Sequence, residues 1–87
     1  MPRYLIETFL ARGAAGERQA REGRARAAAD ALSRDGTAVR FDGSIHVPED
    51  EICFFTFEAP SGRDAALVAQ RAGLEAMRVV EAVSSAF

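Results

Sequence analysis

The residues in this chain with the clearest capacity for chemistry are spaced along strand-like segments. Asp42, Ser44 and His46 occupy alternate positions of the run Val39-Arg-Phe-Asp-Gly-Ser-Ile-His-Val47, and Glu7, Glu58 and Glu81 lie in three further strand-like runs. Alternation is the period of a half-buried antiparallel strand, so one row of side chains faces a core and the other faces away. Carboxylates from neighbouring strands, together with an imidazole, form a hard and borderline donor set suited to a divalent metal, with His46, Asp42 and Glu58 as the metal ligands. The same carboxylates, with Ser44, could instead line a small-molecule site, or hold one carboxylic acid protonated for proton transfer. The bland alternative is an ordinary exposed sheet face or a polar subunit contact.

Such a row needs a sheet to carry it, and the rest of the chain predicts one. Residues 3 to 9 read as a first strand, followed by a Gly/Ala-rich connector through Gly16 and a helix from about Glu17 to Asp35. Its small apolar positions Ala20, Ala27, Ala28, Ala31 and Leu32 suggest a stripe laid closely on the sheet, and Gly36 is placed as a left-handed cap. Two strands then flank the acidic turn Pro48-Glu-Asp-Glu51, where a proline and three carboxylates favour solvent over a calcium loop. Ser61 and Asp64 have capping-box spacing and open a second helix with Ala65, Val68, Ala69 and Ala72 on one stripe, ended by Gly73. A last strand, residues 78 to 83, precedes the tail 84 to 87.

The order strand, helix, strand, strand, helix, strand predicts one α+β domain over residues 1 to 87, with the ferredoxin-like split βαβ plan. It implies a four-stranded antiparallel sheet with two helices on one face and an open second face. Alternation assigns Tyr4, Ile6, Phe41, Ile45, Cys53, Phe55, Phe57 and Val80 to the helix-covered face. Glu7, Asp42, Ser44, His46, Phe54, Thr56, Glu58 and Glu81 go to the open one, with Arg40 at its end. A four-residue loop at 48 to 51 would pair Val47 with Ile52 and swap the parity, so this assignment requires another loop length or a bulge.

Composition narrows the function classes. The 87 residues are 48% hydrophobic and 28% charged, as in a globular chain, and a formal charge of −2 lacks the basic footprint of a nucleic-acid binder. Arg18, Arg21, Arg24 and Arg26 alternate with acids and read as a solvated helix face. No run approaches the roughly 18 apolar residues of a membrane span, and the start runs directly into a strand pattern; both predict a cytoplasmic protein. Cys53, the single cysteine, reads as a small core residue and excludes an intrachain disulfide. No phosphate loop or catalytic triad order is present, and no organic cofactor is implied.

The residues Tyr4-Leu-Ile-Glu7, Val39-Arg-Phe41, Ser44-Ile45, Val47-Pro-Glu-Asp-Glu51, Cys53-Phe54, Phe57-Glu-Ala-Pro-Ser61, Arg71-Ala-Gly-Leu74 and Arg78-Val-Val-Glu-Ala-Val83 together resemble the small bacterial proteins grouped as domain of unknown function 4242. The resemblance implies a ferredoxin-like homodimer, with nickel binding known for one branch. The leading expectation is therefore a non-catalytic binding protein, a homodimer enclosing a divalent metal such as nickel, or a small molecule, between open sheet faces. A cofactor-free enzyme resembling the dimeric α+β barrel isomerases and monooxygenases, using Glu7, Glu58 or His46 as proton carriers, is the alternative. A pure interaction module is the third.

Overall fold

The computed structural model describes residues 1–83 and places eight elements in order. Strand β1 is Arg3–Phe9, a 3-10 turn follows at Arg12–Ala14, and helix α1 is Glu17–Arg34. Strand β2 is Arg40–Val47, a second 3-10 turn is Pro48–Asp50, and strand β3 is Ile52–Glu58. Helix α2 is Gly62–Arg71 and strand β4 is Arg78–Ala82. All pairings are antiparallel, in the order β2-β3-β1-β4. This is the expected ferredoxin-like α+β arrangement, with α1 packed on β2 and α2 on β1 and β4. The tail 84–87 lies outside the described residues. Among the described residues no helix is long and apolar enough to cross a membrane.

The helix boundaries follow from local chemistry. Ser61 is extended and its Oγ accepts the amide of Asp64 at 3.2 Å, satisfying one of the amides that a helix start leaves without a partner. Gly36 and Gly73, at φ of 102° and 69°, end the two helices in the left-handed region that glycine enters without a steric penalty. The stripe that α1 lays on the sheet matches the expected one only in part: Leu32 is buried and Ala28 and Ala31 are half-buried as expected, whereas Ala20 and Ala27 are exposed and Ala25 and Ala29 are buried in their place. Ala25, Ala29 and Leu32 stand at i, i+4 and i+7, and a helix this rich in alanine offers several small-residue stripes, of which packing selects one.

The core lies between the sheet and the helices. Ile6, Cys53, Phe55, Phe57, Ala65 and Val68 are fully buried, with Tyr4, Leu32, Val39 and Leu74 nearly so. Thr8, the one fully buried polar residue among the described residues, donates its hydroxyl to the Cys53 carbonyl at 2.7 Å and is satisfied there.

Strand β2 corrects the assignment of faces. The connection 48–51 has four residues and pairs Val47 with Ile52, which sets Ile45 opposite Phe54, Ser44 opposite Phe55 and His46 opposite Cys53. Phe55 and Cys53 face the helices, so Ser44 and His46 do too, and Ile45 turns to the open face with 59% of its surface exposed. A bulge between Phe41 and Gly43 then restores the other parity, returning Phe41 to the core side and Arg40 to the open face. On β4 the register sets Val79 opposite Ile6 and Glu81 opposite Tyr4, so Val80 is on the open face and Glu81 on the helix side. The expectation for Val80 and Glu81 was inverted because a strand of one apolar doublet carries no internal parity signal.

Gly43 makes the bulge. Its φ of 150° belongs to a region almost closed to L-residues, and a Cβ there would meet nothing within 4 Å. Gly43→Ala therefore loses no contact, and its cost is backbone strain alone, about 1–3 kcal/mol. Urea unfolding of the variant measures it; an unchanged midpoint would mean that the bulge relaxes without strain.

Candidate functional site

Four rows of side chains cross the open face. Val47, Ile52 and Phe9 stand abreast at the hairpin end, followed by Ile45, Phe54, Glu7 and Arg78, then Gly43, Thr56, Leu5 and Val80, and last Arg40, Glu58, Arg3 and Ala82. Each strand supplies one column, because residues two apart on a strand share a face. The result is a gradient along the strands, apolar at one end and ionic at the other.

Every carboxylate on this face has an arginine. Glu7 accepts from Arg78 Nε at 3.2 Å, its direct cross-strand neighbour. Asp42, projecting from the bulge, accepts from Arg3 Nε at 3.3 Å and Arg40 Nε at 3.1 Å, and Arg40 also grips Glu58. Glu58 and then Asp42 hold the Arg40 pKa above its ordinary value, so the guanidinium is a fixed positive charge. The carboxylate side chains are only 15–19% exposed, while Arg3, Arg40 and Arg78 are 45–68% exposed. Pairs this open to water contribute little to stability, and their effect is to orient the carboxylates and to neutralise the face.

The residues expected to share a site are thus divided. Asp42 and Glu58 do meet, with arginines between them, and Glu7 has its own partner two rows away. Ser44 donates to Glu22 of α1 at 2.6 Å, and His46 Nε2 lies 3.4 Å from the Leu10 carbonyl, both on the helix side. Glu81 is exposed beside β1 on that side as well. The set His46, Asp42 and Glu58 does not assemble, and among the described residues no group of three His, Cys, Asp or Glu could hold a metal ion. The physical reason is the parity of β2, which the bulge switches between Asp42 and Ser44. Arg3 and Arg78 were missed as site residues, although Arg3 stands at i−4 from Glu7 on the same strand face and could have been found by that spacing.

The acidic turn is engaged too. Glu51, at φ 53°, accepts the Leu10 amide on its carbonyl at 2.9 Å and the Arg12 amide on its carboxylate at 3.0 Å. It ties the hairpin to the first connector.

On the opposite side of the sheet Cys53 is fully buried and free. Burial pushes its thiol up from the ordinary 9.0, and the charges of Arg18 and Arg21 pull it back only in part. A thiol held protonated is a packing group, in keeping with the core role read from sequence. Because the folded pKa is raised, the contribution is fully present below the unfolded pKa and is lost as pH rises through the folded one. The native protein should therefore lose stability above about pH 9 more steeply than Cys53→Ala. Parallel slopes in urea titrations across that range would refute the assignment.

No family model matches this chain, and no curated protein or solved structure matches it. The family resemblance therefore stays a resemblance.

Proposed function

We propose that this protein is a small non-catalytic binding protein that works as a homodimer joined through its open sheet faces. The observation that carries the reading is the apolar end of that face: Val47, Ile52, Phe9, Ile45 and Phe54 are contiguous, with Phe9 58% and Ile45 59% exposed, and no element among the described residues covers them. Contiguous apolar surface on a small domain marks an interaction site. A second copy fits it because a two-fold contact presents the same patch from both sides, and an apolar patch is complementary to itself. Charge agrees. Arg3, Arg40 and Arg78 balance Asp42, Glu58 and Glu7 on this face, so two copies of a chain with formal charge −2 approach through a locally neutral surface.

Catalysis fits less well. Glu7, Asp42 and Glu58 would each have to leave an arginine before taking a proton, and His46 is on the wrong side of the sheet. A divalent metal such as nickel, the ligand implied by the resemblance, would need donors other than His46 together with Asp42 and Glu58. Sedimentation equilibrium tests the dimer: we expect twice the 9.4 kDa chain mass at micromolar concentration. A monomer at high micromolar concentration would overturn it. Native mass spectrometry with metal analysis on the same sample reads the bound species directly.

A further inference from the structure

Of the four arginines expected on a solvated face of α1, Arg24 and Arg26 are exposed and Arg18 and Arg21 half-buried, and three of them make defined contacts. Arg21 donates to the Phe9 carbonyl at 2.9 Å and to Glu17 at 3.4 Å, Arg24 donates its Nε to the Ala72 carbonyl at 2.9 Å, and Arg26 sits over the Phe41 ring at 5.4 Å. Arg21 and Arg24, three residues apart and so on one side of the helix, line a cavity of about 230 Å³ with Glu17, Leu74 and Glu75. Gly73 closes it beside Arg24; a Cβ there would stand 3.9 Å from the Arg24 Nε.

We infer that this cavity, between the first turns of α1 and residues 72–76, binds a small zwitterion of the α-amino acid class, its carboxylate on Arg24 and its ammonium on Glu75. The assignment follows from which donors and acceptors are left. A guanidinium has five N–H donors; Arg21 shares its charge with Glu17, whereas the exposed Arg24 uses, among the described residues, only Nε and keeps both terminal amino groups. Among the described residues no ion pair engages Glu75. Among the described residues, an Arg24 and a Glu75 without ion-pair partners on the walls of one cavity match a ligand carrying both charges. A phosphate dianion would gain Arg24 but meet Glu75 and Glu17 as like charges.

The site is also held ready. The carbonyl of Ala72 fixes the plane of the Arg24 guanidinium before any ligand arrives, which reduces the ordering cost of binding. Glu75 has φ 54°, a left-handed conformation uncommon for a residue with a side chain, in a segment fastened on both sides. Leu74 N donates to Ala69 O at 3.0 Å and Met77 N donates to Glu7 O at 2.7 Å. Backbone held in such a conformation by its surroundings collects at ligand sites. The volume is below the roughly 300–1,000 Å³ of sites for drug-sized ligands, which sets the class at single small metabolites.

The test is a two-dimensional NMR titration of the full chain with each common L-amino acid at millimolar concentration, beside propionate and propylamine. We expect saturable shifts at residues 72–76 and Arg24 with at least one amino acid, and binding roughly tenfold or more weaker for either single-charge probe, about 1.4 kcal/mol or more. Glu75→Gln, an exposed substitution that leaves the fold alone, should lose the amino acid but retain propionate. Arg24→Gln should lose both. No saturable shift with any amino acid, equal binding of propionate and amino acid, or unchanged binding by Glu75→Gln would each overturn the proposal. Phe9 lines this cavity and also stands in the apolar row, so the titration is repeated on Ile45→Asp. Amino acid binding by that variant separates this site from the fate of the dimer.

Discussion

Ile45→Asp is expected to convert the proposed dimer into a folded 9.4 kDa monomer. In the single chain Ile45 is 59% exposed and stands opposite Phe54, outside the buried core, so its replacement removes little from the core. Aspartate is a poor strand residue, which sets the cost to the monomer at up to about 1 kcal/mol. In a two-fold contact the same change acts twice. Each copy forfeits the burial of an isoleucine, about 1.5–3 kcal/mol, so the pair loses about 3–6 kcal/mol before the cost of burying two carboxylates is added. The dissociation constant should rise by roughly 10²- to 10⁴-fold. Ile45→Thr keeps the branched strand-forming shape with less apolar area and should fall between the two. Sedimentation equilibrium with far-UV circular dichroism checks both halves of the expectation: a folded Ile45→Asp with the wild-type mass would remove the open face from the interface.

The course of β2 shows where sequence reading succeeds and where it stops. Val39, Phe41, Ile45 and Val47 share odd numbers, and an unbroken strand would put them on one face. The bulge between Phe41 and Gly43 leaves Phe41 in the core and sends Ile45 and Val47 to the other side. Both halves alternate as they should, and only the offset between them is hidden. Gly43 was the visible hint, since an interior strand glycine often marks a bulge. The core strands were legible because Cys53, Phe55 and Phe57 alternate without interruption and the partners Tyr4 and Ile6 repeat the pattern. The carboxylates were legible as surface residues but not as paired ones. Whether Glu7 is a free ligand or the partner of Arg78 depends on contacts 71 residues apart in sequence, which no local pattern encodes. The same holds for Arg24 and Ala72, whose contact spans 48 residues. Element order and core alternation are local properties, whereas site chemistry here is set by the register between distant strands.

Phe57→Ala should be the most damaging single substitution in the core. Phe57 is fully buried at the centre of an aromatic row, with Tyr4 opposite it on β1 and Phe41 opposite it on β2. The Phe41 and Phe57 rings lie 5.3 Å apart, tilted at 52°, within the range of favourable aromatic pairs. Truncation removes the ring's burial and leaves a cavity beneath two helices, at a cost of about 3–5 kcal/mol. An 87-residue domain has roughly 4–13 kcal/mol of stability to lose, so the variant stands between weakened and largely unfolded at 37 °C. Phe57→Leu refills part of the space and should recover more than half of the loss. The effect should reach the ionic row, because Glu58 is the next residue and Arg40 precedes Phe41. If the aromatic row positions those charges, Arg40 and Glu58 side-chain resonances in Phe57→Leu will shift while the Glu7 and Arg78 resonances, two rows away, hold still. Urea unfolding measures the first part; a loss under about 1.5 kcal/mol for Phe57→Ala would mean that the helices close over the gap and that the row is not the keystone of the core.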